Sequence, residues 1–203
     1  MDAVLGELEA EGRVSGWAVA AGVLAAASAG VLVVGASQVI RDISVAPIGE
    51  RPPVVFANRG LAGIDGTIST AIGVALGQRR PTVLVCGDLT FLHDSNGLLL
   101  GPGEPVPDLR IVVLDDRGGA IFSTLEYGDA RFAADFDRLF GTPTRADIAA
   151  VAEASGVRSR RVAGASDLAQ ALAEPISGID VLVVDLDRSD RRELNRRLAD
   201  GVA

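Results

Sequence analysis

The chain has 203 residues, 27 acidic and 19 basic, for a net charge of −8. That balance excludes sequence-independent nucleic-acid binding, which needs a basic footprint, while the length suits one domain and 48% hydrophobic residues suffice for its core. A lone cysteine, Cys86, excludes an internal disulfide and fits a reducing, cytoplasmic setting.

Residues 2–10 and 15–28 read as helices, the second rich in alanine. The uncharged stretch 17–38 is long enough to suggest a membrane span. Its Ala/Gly composition and the break at Ser28-Ala29-Gly30 argue instead for a helix followed by a strand, and no basic segment precedes it as a signal peptide requires. The run 31–34 is a buried strand ending on Gly35-Ala36-Ser37. A polar, Pro-bearing connection (48–53) leads to a strand at 54–56. A Gly-rich turn, 60–66, opens a helix of small residues over 66–77, followed by a strand at 82–85 and a short helix at 94–100. Further on come a strand at 111–114, a helix at 145–155 and a short strand at 160–162. A helix at 166–173 is capped by Ser166, and a strand at 181–185 precedes a charged helix over 189–199, whose arginines read as a solvated or interface face.

The strands are short unbroken Val/Leu/Ile runs, the pattern of strands buried on both faces. Their alternation with helices predicts an α/β doubly wound, mostly parallel sheet of five or six strands, in one domain over 1–203. Ligands of such sheets bind beyond the carboxyl ends of the strands. Four such ends are Gly35-Ala36-Ser37, Asn58-Arg59-Gly60, Gly87-Asp88-Leu89 and Asp115-Asp116-Arg117-Gly118-Gly119.

A buried strand that ends on Asp88 needs a partner for its charge. Between Gly87-Asp88-Leu89 and Asp115-Asp116 lie 25 residues, one strand–helix–strand unit. A right-handed crossover sets the two strands side by side, so Asp88 and Asp116 can share a cation. Gly118 and Gly119 allow a sharp turn that presents a carbonyl as third ligand. Mg²⁺ takes about six oxygens and usually leaves some positions to phosphate and water. Two carboxylates and one carbonyl therefore make a diphosphate anchor.

This pattern resembles the thiamin diphosphate (ThDP) signature, Gly-Asp-Gly followed after a similar interval by Asn-Asn, with Leu89 in place of the third glycine and Asp115-Asp116 in place of the Asn pair. Ala57-Asn58-Arg59-Gly60, GIDGTIST (63–70), GDLTFLHDSNGLL (87–99), RGGAIFSTLE (117–126) and FGTPTRADIAAVAEASGV (140–157) together resemble one family. It is the 2-succinyl-5-enolpyruvyl-6-hydroxy-3-cyclohexene-1-carboxylate synthases of menaquinone biosynthesis. The resemblance runs from about residue 14 to the end and covers the family's C-terminal, diphosphate-binding domain.

The resemblance implies an enzyme that decarboxylates 2-oxoglutarate and adds the resulting carbanion equivalent to isochorismate, with ThDP and Mg²⁺ (or Mn²⁺) as cofactors. It implies metal ligands at Asp88, Asp116 and the Gly118 carbonyl. It also implies cofactor contacts at Ser37, Ile64, Gly87, Asp88, Leu89, Ile121 and Phe122, with Ile64 under the bent cofactor. Arg41 and Arg59 match arginines that bind substrate carboxylates, where a guanidinium offers a bidentate fork. In the family the activating glutamate comes from a pyrimidine-binding domain of another subunit. No counterpart is found in this chain, so no catalytic residue is assigned and the chain by itself is expected to be inactive and to form a homo-oligomer. His93 reads as structural or exposed, and Cys86 as a small buried hydrophobe. Two other readings stay open: half of another split ThDP-dependent decarboxylase or acetolactate-type enzyme, and a truncated, non-catalytic oligomerising domain.

Overall fold

In the computed structural model, which describes residues 13–189 and 191–200, the apolar runs become six strands. They are β1 (Val31–Val34), β2 (Val54–Ala57), β3 (Thr82–Gly87), β4 (Leu109–Asp115), β5 (Arg158–Val162) and β6 (Ile179–Asp185). All pair in parallel, in the order β2-β1-β3-β4-β6-β5. β3 and β4 are neighbours, as the crossover rule requires, with Gly87 in register with Leu114.

Period-two alternation divides the strand residues between two apolar layers. Val83, Val85, Val112 and Leu114 pack with Val19, Val23 and Leu24 of helix α1 (Gly16–Ala26) and with Leu168 and Ala171 of a helix over Ala165–Ala173. Leu84, Cys86, Ile111 and Val113 face the other way, onto Ile68, Ala71 and Ile72 of a helix over Thr67–Gln78 and Ile148 and Ala152 of one over Ile148–Ala154. Ser15 caps α1, its Oγ accepting from Ala18 N at 3.1 Å. The stretch once suggestive of a membrane span thus divides into α1 and β1, and no described helix is long and apolar enough to cross a membrane.

In chain order the remaining helices are α2 (Gln38–Val45), α3 (Thr67–Gln78), α4 (Asp88–His93), α5 (Ile148–Ala154), α6 (Ala165–Ala173) and α7 (Arg191–Asp200). Short helical turns fill 120–141. The predicted helix at 2–10 lies outside the described residues.

Four expectations need correction. β2 and β5 are edge strands, and Val54 and Val55 are about half exposed, so burial on both faces holds for the inner strands. The helix expected at 94–100 instead begins at Asp88, and a 3-10 turn at Ser95–Leu98 follows it. Asp94 ends α4 early because its carboxylate is engaged elsewhere, accepting from Ser69 N at 2.6 Å and Ser69 Oγ at 3.1 Å. Ser166 does not cap α6: the cap is Gly164, and the Asp167 carboxylate accepts from Ala163 N at 2.8 Å. Finally, α2 was not foreseen. Val39 and Asp42 are its buried positions and Ile40 and Ile43 pack partly on the core; at eight residues it is short for periodicity to register.

The strand order reverses between β1 and β3, where the chain turns from one side of the sheet to the other. In open parallel sheets such a switch point leaves a crevice at the carboxyl ends of the strands.

Candidate functional site

A cavity of about 180 Å³ occupies that crevice. Its walls are the segments that follow β1 (36–39), β3 (87–90), β4 (114–122) and β6 (186–191), with Ile64 from the turn before α3. Of the predicted site residues, Ser37, Ile64, Gly87, Asp88, Leu89, Asp116, Gly118, Ile121 and Phe122 all line it. Arg41 and Arg59 do not. Arg41 is exposed and its Nη1 donates to the Ser37 carbonyl at 2.8 Å, and Arg59 is exposed beyond the end of β2. His93 is exposed on α4, and Cys86 is fully buried, where desolvation pushes its thiol up, so neither joins the cavity.

Asp88 opens α4 directly from the end of β3 and is 4% exposed. Leu89 N donates to its Oδ1 and Gly118 N to its Oδ2, both at 2.7 Å. The second bond ties the β3 end to the β4 turn. That turn depends on glycine: Gly118 has φ +124°, and a β-carbon there would collide with the Gly141 carbonyl oxygen. The Gly118 carbonyl accepts from Ala120 N at 3.0 Å, which leaves one lone pair for another partner.

The paired acids at the end of β4 part company. Asp116 faces the cavity, whereas Asp115 lies near Arg161 on the other side, 3.9 Å from its Nη1. Arg161 also pairs with Asp147 at 2.8 Å and Asp185 at 3.0 Å. Burial pushes the Asp116 carboxyl up to about 8; the nearby Asp88 charge adds to this, while Arg188 and Arg191 oppose it. Burial also pushes Asp88 up to about 6, against the Leu89 and Gly118 N–H groups and with help from Asp115. The Asp116 Oδ1 is buried and has no hydrogen-bond partner among the described residues.

Two desolvated carboxylates, with Asp88 raising the proton affinity of Asp116 and Asp116 carrying an orphaned oxygen, form a site that a cation would relieve. Their donor set, with the Gly118 carbonyl, is all hard oxygen, and it suits Mg²⁺ or Mn²⁺ rather than a thiolate- or imidazole-preferring metal. Among the described residues no group of three or more His, Cys, Asp or Glu side chains converges as a metal cage. A site of two carboxylates must take its remaining ligands from backbone, water or phosphate.

Sequence reasoning missed Gln38, Asp42, Asp187, Arg188 and Arg191, all of which line the cavity. Arg188 Nη1 donates to the Arg117 carbonyl at 3.1 Å and Nη2 to Asp137 Oδ1 at 2.7 Å, bracing the β4 turn. The strand-end rule applied to β6 would have found Asp187 and Arg188. Nothing local marks Asp42 or Arg191.

Residues 34–186 match the family model "Thiamine pyrophosphate enzyme, C-terminal TPP binding domain". A 2-succinyl-5-enolpyruvyl-6-hydroxy-3-cyclohexene-1-carboxylate synthase of Paenarthrobacter aurescens is 52% identical, over 87% of this chain and 32% of its own length. One of the same name from Mycobacteroides abscessus is 50% identical over 96% of this chain and 36% of its own. The chain thus spans about a third of the length of these curated relatives. The crystal structure of benzoylformate decarboxylase from Polynucleobacter necessarius shares the fold, with a TM-score of 0.66 at 22% identity over 85% of this chain and 33% of that one.

Proposed function

Since the chain belongs to the thiamine pyrophosphate enzyme family, as a C-terminal TPP-binding domain, we propose that it is the diphosphate- and metal-binding part of a synthase of the kind its relatives are named for. The observation that carries this reading is the orphaned Asp116 Oδ1 beside the buried Asp88, at the sheet's switch point. Asp88, Asp116 and the free lone pair of the Gly118 carbonyl would hold Mg²⁺ or Mn²⁺. Of the other lining residues, Ser37, Gly87 and Leu89 would contact the diphosphate, and Ile64, Ile121 and Phe122 would give the cofactor apolar contacts.

When bound, ThDP supplies the nucleophilic carbon and the electron sink for the reaction. The protein's part is to orient that cofactor and exclude water from it. Arg41, on α2, and Arg59, just beyond the end of β2, both outside the cavity, recognise the carboxylates of 2-oxoglutarate and isochorismate. The glutamate that activates the cofactor comes from the pyrimidine-binding domain of another subunit in a homo-oligomer of the cytoplasm, so this chain by itself binds but does not turn over.

Asp88→Ala tests the metal assignment in the purified chain. Calorimetric titration should show Mg²⁺-dependent ThDP affinity lowered by about 100-fold or more, as befits loss of a metal ligand. An Asp88→Ala chain with unchanged affinity would refute it.

A further inference from the structure

Arg191, the first residue of α7, is 8% exposed. At Arg191 alone the structure departs from the expectation of a solvated or interface face; Arg192 and Arg196 are exposed. The Arg191 guanidinium lies 4.2 Å from the centre of the Trp17 ring, and its Nη2 donates to Asp42 Oδ1. Asp42 is 2% exposed on α2, and Gln38 Nε2 donates to the same oxygen at 3.0 Å. A carboxylate this deeply buried requires a cation. Gly16 makes room for the pair, since a β-carbon there would run into both the Asp42 carboxylate and the Arg191 guanidinium. Three elements, α1, α2 and α7, thus meet on one ion pair whose members stand 149 residues apart.

This pair belongs to the cavity wall. Gln38, Asp42 and Arg191 all line the cavity that contains Asp88 and Asp116. Helix α7 packs on the 120–124 turn, which supplies Ile121 and Phe122, and Arg192 Nη1 donates to the Leu125 carbonyl at 3.3 Å. Helix α2 supplies Gln38 and Val39 to the same lining. The pair therefore joins two elements of the cavity lining, α2 and α7. It is also incompletely satisfied: Gln38 Oε1, Asp42 Oδ2 and Arg191 Nε are buried without partners among the described residues. A contact serving stability alone would be expected to satisfy these atoms.

We propose that Arg191 is a positioning residue of the cavity: gripped by Asp42 and Trp17, it latches α7 and the 120–125 wall to α2 and fixes the width of the site. The consequence for the cofactor rests on the function proposed above; the latch itself does not. Hydrogen exchange of backbone amides in the purified chain tests it, with Arg191→Met, Arg191→Lys and Asp42→Asn. The Ala120, Phe122 and Leu125 amides are hydrogen-bonded within the wall and report on it. Their exchange should rise about tenfold in Arg191→Met and Asp42→Asn while β1, β3 and β4 keep wild-type protection. Arg191→Lys keeps the charge but loses the planar fork, and should fall between. Mg²⁺-ThDP affinity should weaken about tenfold in Arg191→Met, with partial rescue by lysine.

Unchanged exchange over 120–125 overturns the proposal. A rise spread evenly across the sheet also overturns it, since that marks an ordinary stabilising contact. Asp42→Asn, which alters charge and not shape, decides the matter if Arg191→Met does not fold. A wild-type chain that binds no ThDP, with the exchange pattern as expected, leaves the latch standing and removes only the cofactor assignment.

Discussion

Asp116 is held against its chemistry. Its ordinary pKa of 3.8 is pushed up to about 8, and that of Asp88 to about 6, by burial and like charge. An acid whose folded pKa lies above its unfolded one binds more protons in the native state, so stability falls as pH rises between the two values. Without divalent cations, the stability of the chain should therefore decline from about pH 4 to pH 8, and Asp116→Asn should flatten the decline by on the order of 2 kcal/mol, less than a fully expressed shift because solvent reaches part of the side chain. Urea unfolding across this pH range checks it, and a wild-type profile as flat as that of Asp116→Asn would contradict it. Asp88 and Asp116 could be read from the sequence because each ends or follows an apolar run and one strand–helix–strand unit separates them. The Asp42–Arg191 pair could not. Its members are joined only by the tertiary fold, and neither stands at the end of a strand.

Charged residues inside strands also blurred the element boundaries. The sequence places the starts of β4 and β6 at residues 111 and 181, yet both begin two residues earlier. The cause is a cross-strand ion pair in register, Arg110 with Asp180. Arg110 is 2% exposed, its Nε and Nη2 donate to the two Asp180 oxygens at 2.9 and 2.8 Å, and its Nη1 donates to the Ala171 and Glu174 carbonyls at the end of α6. Strand propensity rules treat such residues as breaks, whereas partnered burial permits them. Arg110→Met should destabilise the chain by about 3–5 kcal/mol, because it leaves the Asp180 charge uncompensated. Denaturant titration measures this, and Arg110→Met/Asp180→Leu should recover much of the loss. A single-variant cost below about 1 kcal/mol would contradict the account.

At the scale of the whole molecule, the strand–helix alternation revealed the layered parallel sheet, because strands buried on both faces must be apolar throughout. The 120–141 segment was not legible, since its helical turns are too short for periodicity to register. That segment exposes Phe122, Leu125, Tyr127, Phe132 and Leu139, and of these Phe122 also lines the cavity. An exposed apolar surface of this kind predicts self-association. Light scattering over a concentration series should show species larger than a monomer; a monomer throughout would contradict the prediction. The central claim, a preformed metal-dependent diphosphate site, is tested most directly by calorimetric titration of the purified chain with ThDP, with and without Mg²⁺. The account predicts binding at one site per chain that requires the metal. A folded chain that binds no ThDP in the presence of Mg²⁺, or binds it equally well without, would contradict it.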